Sequence, residues 1–336
     1  MPPHTPGMFI GQVLRSRTPC REHFELTLVV AGFPEASPGQ FVQIRCASAD
    51  AAWSSMVASA LASSGGSADP SIRHKYLAVG PTLRRPFSIA GLRRSEGECE
   101  LDILGRVIGL GTEWLAELRE GDAVDVLGPL GRGFTVPAST TQAILVAGGV
   151  GLPPIRWLGE ELRRRGVPCL AIYGATTRSL LPITLIREPS HQVEATRCVD
   201  QFARHAIEAI VTTDDGTCGV AGRVTDAVVR FLEANLRFVS PGLRVYGCGP
   251  EPMLRRLAGI CGERGISCEI ALERMMGCGM GTCQSCVVRV ADPQAERGWR
   301  YALCCTEGPV FDAAVVQWSS DIGERPVPAT RDLPPE

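Results

Sequence analysis

Three cysteines near the C-terminus carry the clearest chemical signal in the chain. Cys278, Cys283 and Cys286 are spaced C-x4-C-x2-C, and either Cys304 or Cys305 could add a fourth thiolate from further along. This is the plant-type [2Fe–2S] spacing, with three ligands on one tight loop and one returning from afar. The loop reads GCGMGTCQSC. Its alternating glycines let the backbone curl and turn N–H groups toward sulfur, which tunes the reduction potential of a bound cluster. A structural zinc site is the rival reading, but zinc favours paired CxxC knuckles and only one CxxC is present.

Two further stretches could hold anionic cofactors. Arg84-Arg85-Pro86-Phe87-Ser88-Ile89 places an arginine two residues before an aromatic and then a hydroxyl. Such a run can serve a flavin, with guanidinium to pyrophosphate and the next residues along the ring. Gly109-Leu110-Gly111-Thr112 precedes an expected helix at Glu113–Leu118, with Thr112 as its capping hydroxyl. Free N–H groups at a helix start favour phosphate. Downstream, Gly148, Gly149 and Gly151 lie in AGGVGLPP, and Cys248, Gly249 and Pro250 lie in YGCGPEPM. Neither is a GxGxxG fingerprint. Each falls where a strand ends and a helix begins, so together they form a plausible nicotinamide nucleotide site.

These residues need elements to position them. Met8–Arg15, Phe24–Val30, Gln40–Arg45, Leu101–Val107 and Ala123–Leu127 are strand-like runs bounded by turn formers, as in a barrel or a sandwich. The rhythm then changes. Strands at Ala143–Ala147, Cys169–Tyr173, Ala209–Thr213 and Leu243–Gly247 alternate with helices at Pro153–Arg165, Thr225–Asn235 and Glu251–Arg264. Alternation of this kind predicts a parallel α/β sheet. The expected architecture is multidomain, β followed by α/β. An antiparallel β-barrel flavin domain covers 1–137, and a parallel-sheet nucleotide-binding domain covers 138–266. A small C-terminal [2Fe–2S] domain covers 267–318, and 319–336 is a proline-rich tail. The Ala-, Ser- and Gly-rich stretch at about 47–83, with a short helix around Ala51–Ala62, reads as an insertion on a barrel loop.

Composition narrows the function classes. Net charge is −2 over 336 residues, which disfavours nucleic-acid binding as the main task. Lys75 is the only lysine among 34 basic residues, so an anionic cofactor meets arginine forks. The apolar stretch Ala143–Ile155 is too short for a membrane span, and the first residues lack a secretory core. The expectation is a soluble, cytoplasmic chain, in which clustered cysteines mean metal or redox work.

Together these strings resemble the ferredoxin-NADP reductase superfamily, over nearly the whole chain. The module order is similar to the electron-transfer subunits of class 1B dihydroorotate dehydrogenases. RRPFSI, GRVIGLGT, DVLGPLGRGF, VAGGVGLPPI, TTDDGTCGVAGRVTD, YGCGPEPML, LERMMGCGMGTCQSC and CCTEGPVFDAAVV all look like that family. The resemblance implies FAD contacts at Arg85, Pro86, Phe87, Ser88, Leu104, Gly105, Arg106, Gly111 and Thr112. It implies NAD contacts at Gly148, Gly149, Gly151, Cys248, Gly249 and Pro250, and cluster ligands Cys278, Cys283, Cys286 and Cys305. The family's fourth cysteine precedes an x-acid-Gly-Pro-Val-Phe run, matched by Thr306–Phe311, which selects Cys305 over Cys304.

The implied partner is an FMN-containing catalytic subunit, in a heterotetramer of two of each. Electrons would pass from its FMN singly through the cluster to FAD and on to NAD+, in pyrimidine biosynthesis. The cofactors carry the chemistry, so no residue is assigned as catalytic; Ser88 and Cys248 lie nearest the expected reacting atoms. Alternatives are a reductase subunit of another complex (an NAD(P)H:ferredoxin transhydrogenase, a sulfhydrogenase or an oxygenase reductase) and a redox sensor. The insertion and the tail depart from the family, and so does Gly105, where an aromatic is expected. Arg178, after the second α/β strand, is either a 2′-phosphate contact or a solvated surface residue.

Overall fold

The computed structural model describes residues 6–46, 83–95 and 97–318. Apart from Leu83, the insertion lies outside the described residues, as do its expected short helix and the tail.

The first unit is a closed antiparallel barrel. Its strands are β1 (Gly7–Arg17), β2 (His23–Ala31), β3 (Phe41–Ile44), β4 (Arg85–Ser95), β5 (Glu98–Arg106) and β6 (Ala123–Leu130), in the order β1-β2-β5-β4-β3-β6. Alternate residues point inward, as the two-residue period of a strand requires. Phe24, Leu26, Leu28, Val42, Ile44, Phe87, Ile89, Leu101 and Ile103 fill the interior, so the barrel is a packed core rather than a pore. Helix α1 (Leu110–Glu117) spans the connection between β5 and β6.

The second unit alternates strand and helix. It runs β7 (Gln142–Gly148), α2 (Leu152–Arg164), β8 (Cys169–Ala175), β9 (Glu208–Thr213), β10 (Val220–Ala221), α3 (Val224–Ala234), β11 (Leu243–Cys248), α4 (Glu251–Glu263) and β12 (Ser267–Ala271). β13 (Val287–Ala291) and β14 (Trp299–Leu303) form a separate antiparallel pair, and β15 (Val310–Asp312) returns to the main sheet. The seven-stranded sheet has the order β10-β9-β8-β7-β11-β12-β15, parallel except for β15. Strand β7 reads QAILVAG and is buried on both faces, as a central parallel strand must be. The strand order reverses at β7, between β8 and β11. Ligands of open α/β sheets bind at that switch point, beyond the carboxyl ends of the strands.

Two findings go beyond the sequence reading. The sheet continues past position 266: Ser267–Ala271, expected to open the cluster domain, is strand β12, paired in parallel with β11. The cysteine-bearing segment is therefore an excursion between two strands of one sheet, β12 and β15. In addition, α2 serves both units. Ile155, Leu158 and Leu162 face the sheet core, while Trp157 joins the barrel core. Next to it, Arg156 Nη1 donates to Glu25 Oε1 of β2 at 2.9 Å. This ion pair and the tryptophan fix the seam where a cleft opens.

Candidate cofactor cleft and cysteine cluster

A cleft of about 1020 Å³ runs along the seam between barrel and sheet. It is lined by Arg85, Pro86, Phe87, Ser88, Leu104, Gly105, Arg106 and Thr112 on the barrel side. Gly148, Gly149, Gly151, Cys248, Gly249 and Pro250 line the sheet side. Of the cofactor residues read from the sequence, only Gly111 is not on its wall; it is buried in the first turn of α1.

Local structure explains which groups are available. Arg84 and Arg85 are adjacent but differ in fate. Arg84 is locked to Asp125 at 2.7 Å, whereas Arg85 donates only to the carbonyls of Leu83 and Arg84. Among the described residues no carboxylate competes for the Arg85 guanidinium, which suits it to an anionic group. Arg106 is held by Glu22 at 2.6 Å.

Helix α1 starts at Leu110 rather than Glu113. Gly109 is its N-cap, and Thr112 is the third helical residue instead of the cap. Thr112 Oγ1 accepts from the Gly109 and Ile108 N–H groups at 3.1 and 2.9 Å and donates to Gly109 O at 2.8 Å. The hydroxyl therefore shapes the loop, in the back-bonding half of a capping box. Glycine at 105 also has a reason. A Cβ there would lie 2.5 Å from Phe24 Cζ and 2.9 Å from Phe87, so the barrel already fills the space an aromatic would need.

On the opposite rim, β7 and β11 end side by side, and the three residues between the end of β7 at Gly148 and the start of α2 at Leu152 form a short 3-10 turn. A Cβ on Gly151 would fall 2.2 Å from Cys248 O. The two glycine turns thus touch backbone to backbone and form one continuous rim. Burial pushes the Cys248 thiol up to about 12, so it stands as a neutral group.

The sequence reading missed several wall residues. His23, at the start of β2, is buried, with Nδ1 2.8 Å from Arg21 O and Nε2 without a partner among the described residues. Burial lowers its pKa, which keeps the ring neutral. Asp214, Arg223, Thr225 and Asp226 line the far end. The Asp-Asp-Gly string flagged Asp214, but nothing local marked Arg223. Arg178 is not on the wall: its fork grips Glu188 at 3.0 and 2.7 Å. Exposed pairs of this kind are worth ~0–1 kcal/mol. Arg178→Ala is therefore expected to leave the NADH-to-NADPH preference unchanged, measured as the ratio of kcat/KM values. A large change in that ratio would put Arg178 back at the nucleotide.

The cysteines form two neighbouring pairs. Cys278 Sγ accepts the N–H groups of Met280 and Cys283, each at 3.4 Å. Cys286 Sγ accepts the Cys305 N–H at 3.4 Å, and the Gly281 N–H serves the Cys305 sulfur. Hydrogen bonds from Ser285 and the Cys278 loop bring the exposed Cys283 thiol down to about 6, toward the thiolate a metal needs. Burial, followed by its bond with Cys286, pushes the Cys305 thiol up to about 12. Cys304 points elsewhere, its Sγ donating to Leu272 O at 3.3 Å inside the core. Among the described residues no three His, Cys, Asp or Glu side chains converge as around a single ion. Two thiol pairs on a ring of N–H donors fit a two-iron cluster better than one zinc.

Comparison with known proteins bears on this arrangement. Residues 273–317 match the family model described as the iron-sulfur cluster binding domain of dihydroorotate dehydrogenase B. The "Dihydroorotate dehydrogenase B (NAD(+)), electron transfer subunit" of Bacillus caldolyticus is 39% identical over 239 residues, 70% of this chain and 80% of its own. That of Geobacillus thermodenitrificans (strain NG80-2) is 35% identical over 309 residues, 90% of this chain and 96% of its own. The chain belongs to the family of dihydroorotate dehydrogenase B electron transfer subunits. A solved chain from work on the NADH-dependent reduced ferredoxin-NADP oxidoreductase shares the fold, with TM-score 0.66 and 23% identity over 92% of this chain and 90% of that one. In this electron transfer subunit family member, the matched segment contains Cys278, Cys283, Cys286, Cys304 and Cys305. The barrel and the parallel sheet lie N-terminal to that segment, so the cleft is built almost wholly outside it.

Proposed function

We propose that this chain accepts electrons from a reduced FMN-bearing dihydroorotate dehydrogenase subunit and passes them through a [2Fe–2S] cluster and FAD to NAD+. The observation that carries this reading is the shared cleft. The RPFS strand, the glycine rims and the loop leading to the cysteines all meet along one seam. FAD, when bound, trades single electrons with the cluster and a hydride with NAD+.

The chain's own residues hold and orient. Arg85, with no carboxylate partner among the described residues, would meet the pyrophosphate. Ser88 and Phe87 would lie along the flavin ring, and Thr112 keeps the Ile108–Gly109 loop closed on the cleft wall. Gly148, Gly149, Gly151, Cys248, Gly249 and Pro250 let the nucleotide approach the ends of β7 and β11. Cys248, neutral, adds no charge near the nicotinamide. Cys278, Cys283, Cys286 and Cys305 would hold the cluster through their thiolates. Arg178 is occupied by Glu188, and the relatives are named for NAD(+), which supports NAD as the acceptor.

No helix among the described residues is long and apolar enough to cross a membrane. The reading places the complex in the cytoplasm, as two copies of each subunit, with the pathway of pyrimidine synthesis as its context. Co-expression with the FMN subunit is expected to yield a stable complex that forms NADH from dihydroorotate and NAD+. A purified complex that leaves NAD+ unchanged under those conditions would overturn the assignment.

A further inference from the structure

One buried side chain beside the cysteine loop has no role in the barrel. Gln43 sits on β3, between Val42 and Ile44, which face the barrel core. Gln43 therefore points out of the barrel, and it is nonetheless 0% exposed. Neither Nε2 nor Oε1 has a hydrogen-bond partner among the described residues. Buried amides are normally satisfied, so an amide orphaned at both ends marks a place where a further polar group belongs.

Its neighbours say which group. Gln43 lies directly under Gly279, the residue after Cys278. A Cβ on Gly279 would come within 2.7 Å of Gln43 Nε2 and 2.8 Å of its Cγ. Gly279 has φ of +74°, so the loop is doubly restricted to glycine at the point where the amide reaches it. The next N–H along the loop, that of Met280, already donates to Cys278 Sγ. On its other side, Gln43 is paired across the sheet with Pro86 of the cleft-lining strand β4. Gln43 itself is not on the cleft wall. The amide thus approaches the cluster loop, with its back to the flavin strand. Thiolate and sulfide sulfurs only accept hydrogen bonds, so Nε2 is the atom that can serve them.

We propose that Gln43 Nε2 donates a hydrogen bond to a sulfur of the [2Fe–2S] centre, joining the backbone N–H groups that set its potential. This rests on the cluster reading above. Reduction adds negative charge to the sulfurs, and a donor aimed at them stabilises the reduced form. Gln43 is a positioning and tuning residue, not a catalytic one.

The test uses the full complex and reads the cluster directly. Gln43→Met keeps the approximate volume and removes both polar atoms. The cluster is expected to assemble with its visible spectrum intact. Its reduction equilibrium is expected to shift about tenfold toward the oxidised form, ~59 mV for a one-electron couple. The FAD potential is expected to stay in place. Gln43→Glu keeps the shape but loses the donor and adds an acceptor, so its shift has the same sign and is larger. If Gln43→Met fails to fold, the Gln43→Glu potential decides alone. A cluster potential equal to that of the unsubstituted complex overturns the proposal, and so does a shift confined to FAD. An unsubstituted complex without a [2Fe–2S] spectrum would instead overturn the cluster reading itself.

Discussion

Replacing Cys305 by serine is expected to reduce iron content and visible absorbance to background, while Cys304→Ser leaves both in place. The two residues are neighbours in sequence and both are buried, so exposure does not separate them. Direction does. Cys305 shares its surroundings with Cys286, Cys278 and the Gly281 N–H, all within the loop that carries the other ligands. Cys304 turns into the core and donates to the Leu272 carbonyl. Serine at 304 can keep that hydrogen bond, so the cost is a small repacking change of ~1 kcal/mol, visible as a modest loss in thermal stability. Serine at 305 offers a hard hydroxyl where the cluster needs a soft thiolate. Absorbance and iron analysis on the two purified variants check the prediction. If Cys304→Ser loses the cluster and Cys305→Ser keeps it, the ligand assignment is reversed.

Legibility in the sequence tracked how local each determinant is. The C-x4-C-x2-C spacing and the strand-helix alternation are local, and the structure has a cysteine loop and a parallel sheet where they were read. The boundary at 266 was not legible, because Ser267–Ala271 becomes a sheet strand only through pairing with β11. The resemblance selected Arg85 over Arg84, but the physical reason was not legible: Asp125, 41 residues away, occupies Arg84. Thr112 carried the correct signal with the wrong role. The true N-cap is a glycine, and a glycine has no side chain to announce itself. Gln43 reads as an ordinary polar residue in a strand. Only the fold shows that its outward face is covered by the cysteine loop.

Gly151→Ala is expected to slow reduction of the flavin by NADH roughly 10–100-fold while the cluster remains intact and chemically reducible. Backbone strain is not the cause, since Gly151 has φ of −74°, which alanine adopts freely. The cause is contact. The added methyl would sit 2.2 Å from Cys248 O, 2.4 Å from Cys248 C and 2.7 Å from Gly249 N. All three are backbone atoms, so no side chain can rotate away. Relief requires the ends of β7 and β11 to part, yet their pairing continues to Ala147 and Cys248. Overpacking of this kind costs ~1–3 kcal/mol, and if that cost falls on the nucleotide-bound geometry it lowers the rate roughly 10–100-fold. Gly149→Ala is the control. Gly149 has φ of +53°, but nothing lies within 4 Å of the position its Cβ would take. That variant bears the left-handed backbone penalty of ~1–2 kcal/mol and a methyl on the cleft wall, with no wedge between the strands. Single-turnover reduction by NADH separates the two, with chemical reduction of the cluster as the internal reference. Wild-type rates in Gly151→Ala would mean that the nucleotide does not need the two rims in contact, and the site would have to be sought elsewhere along the cleft.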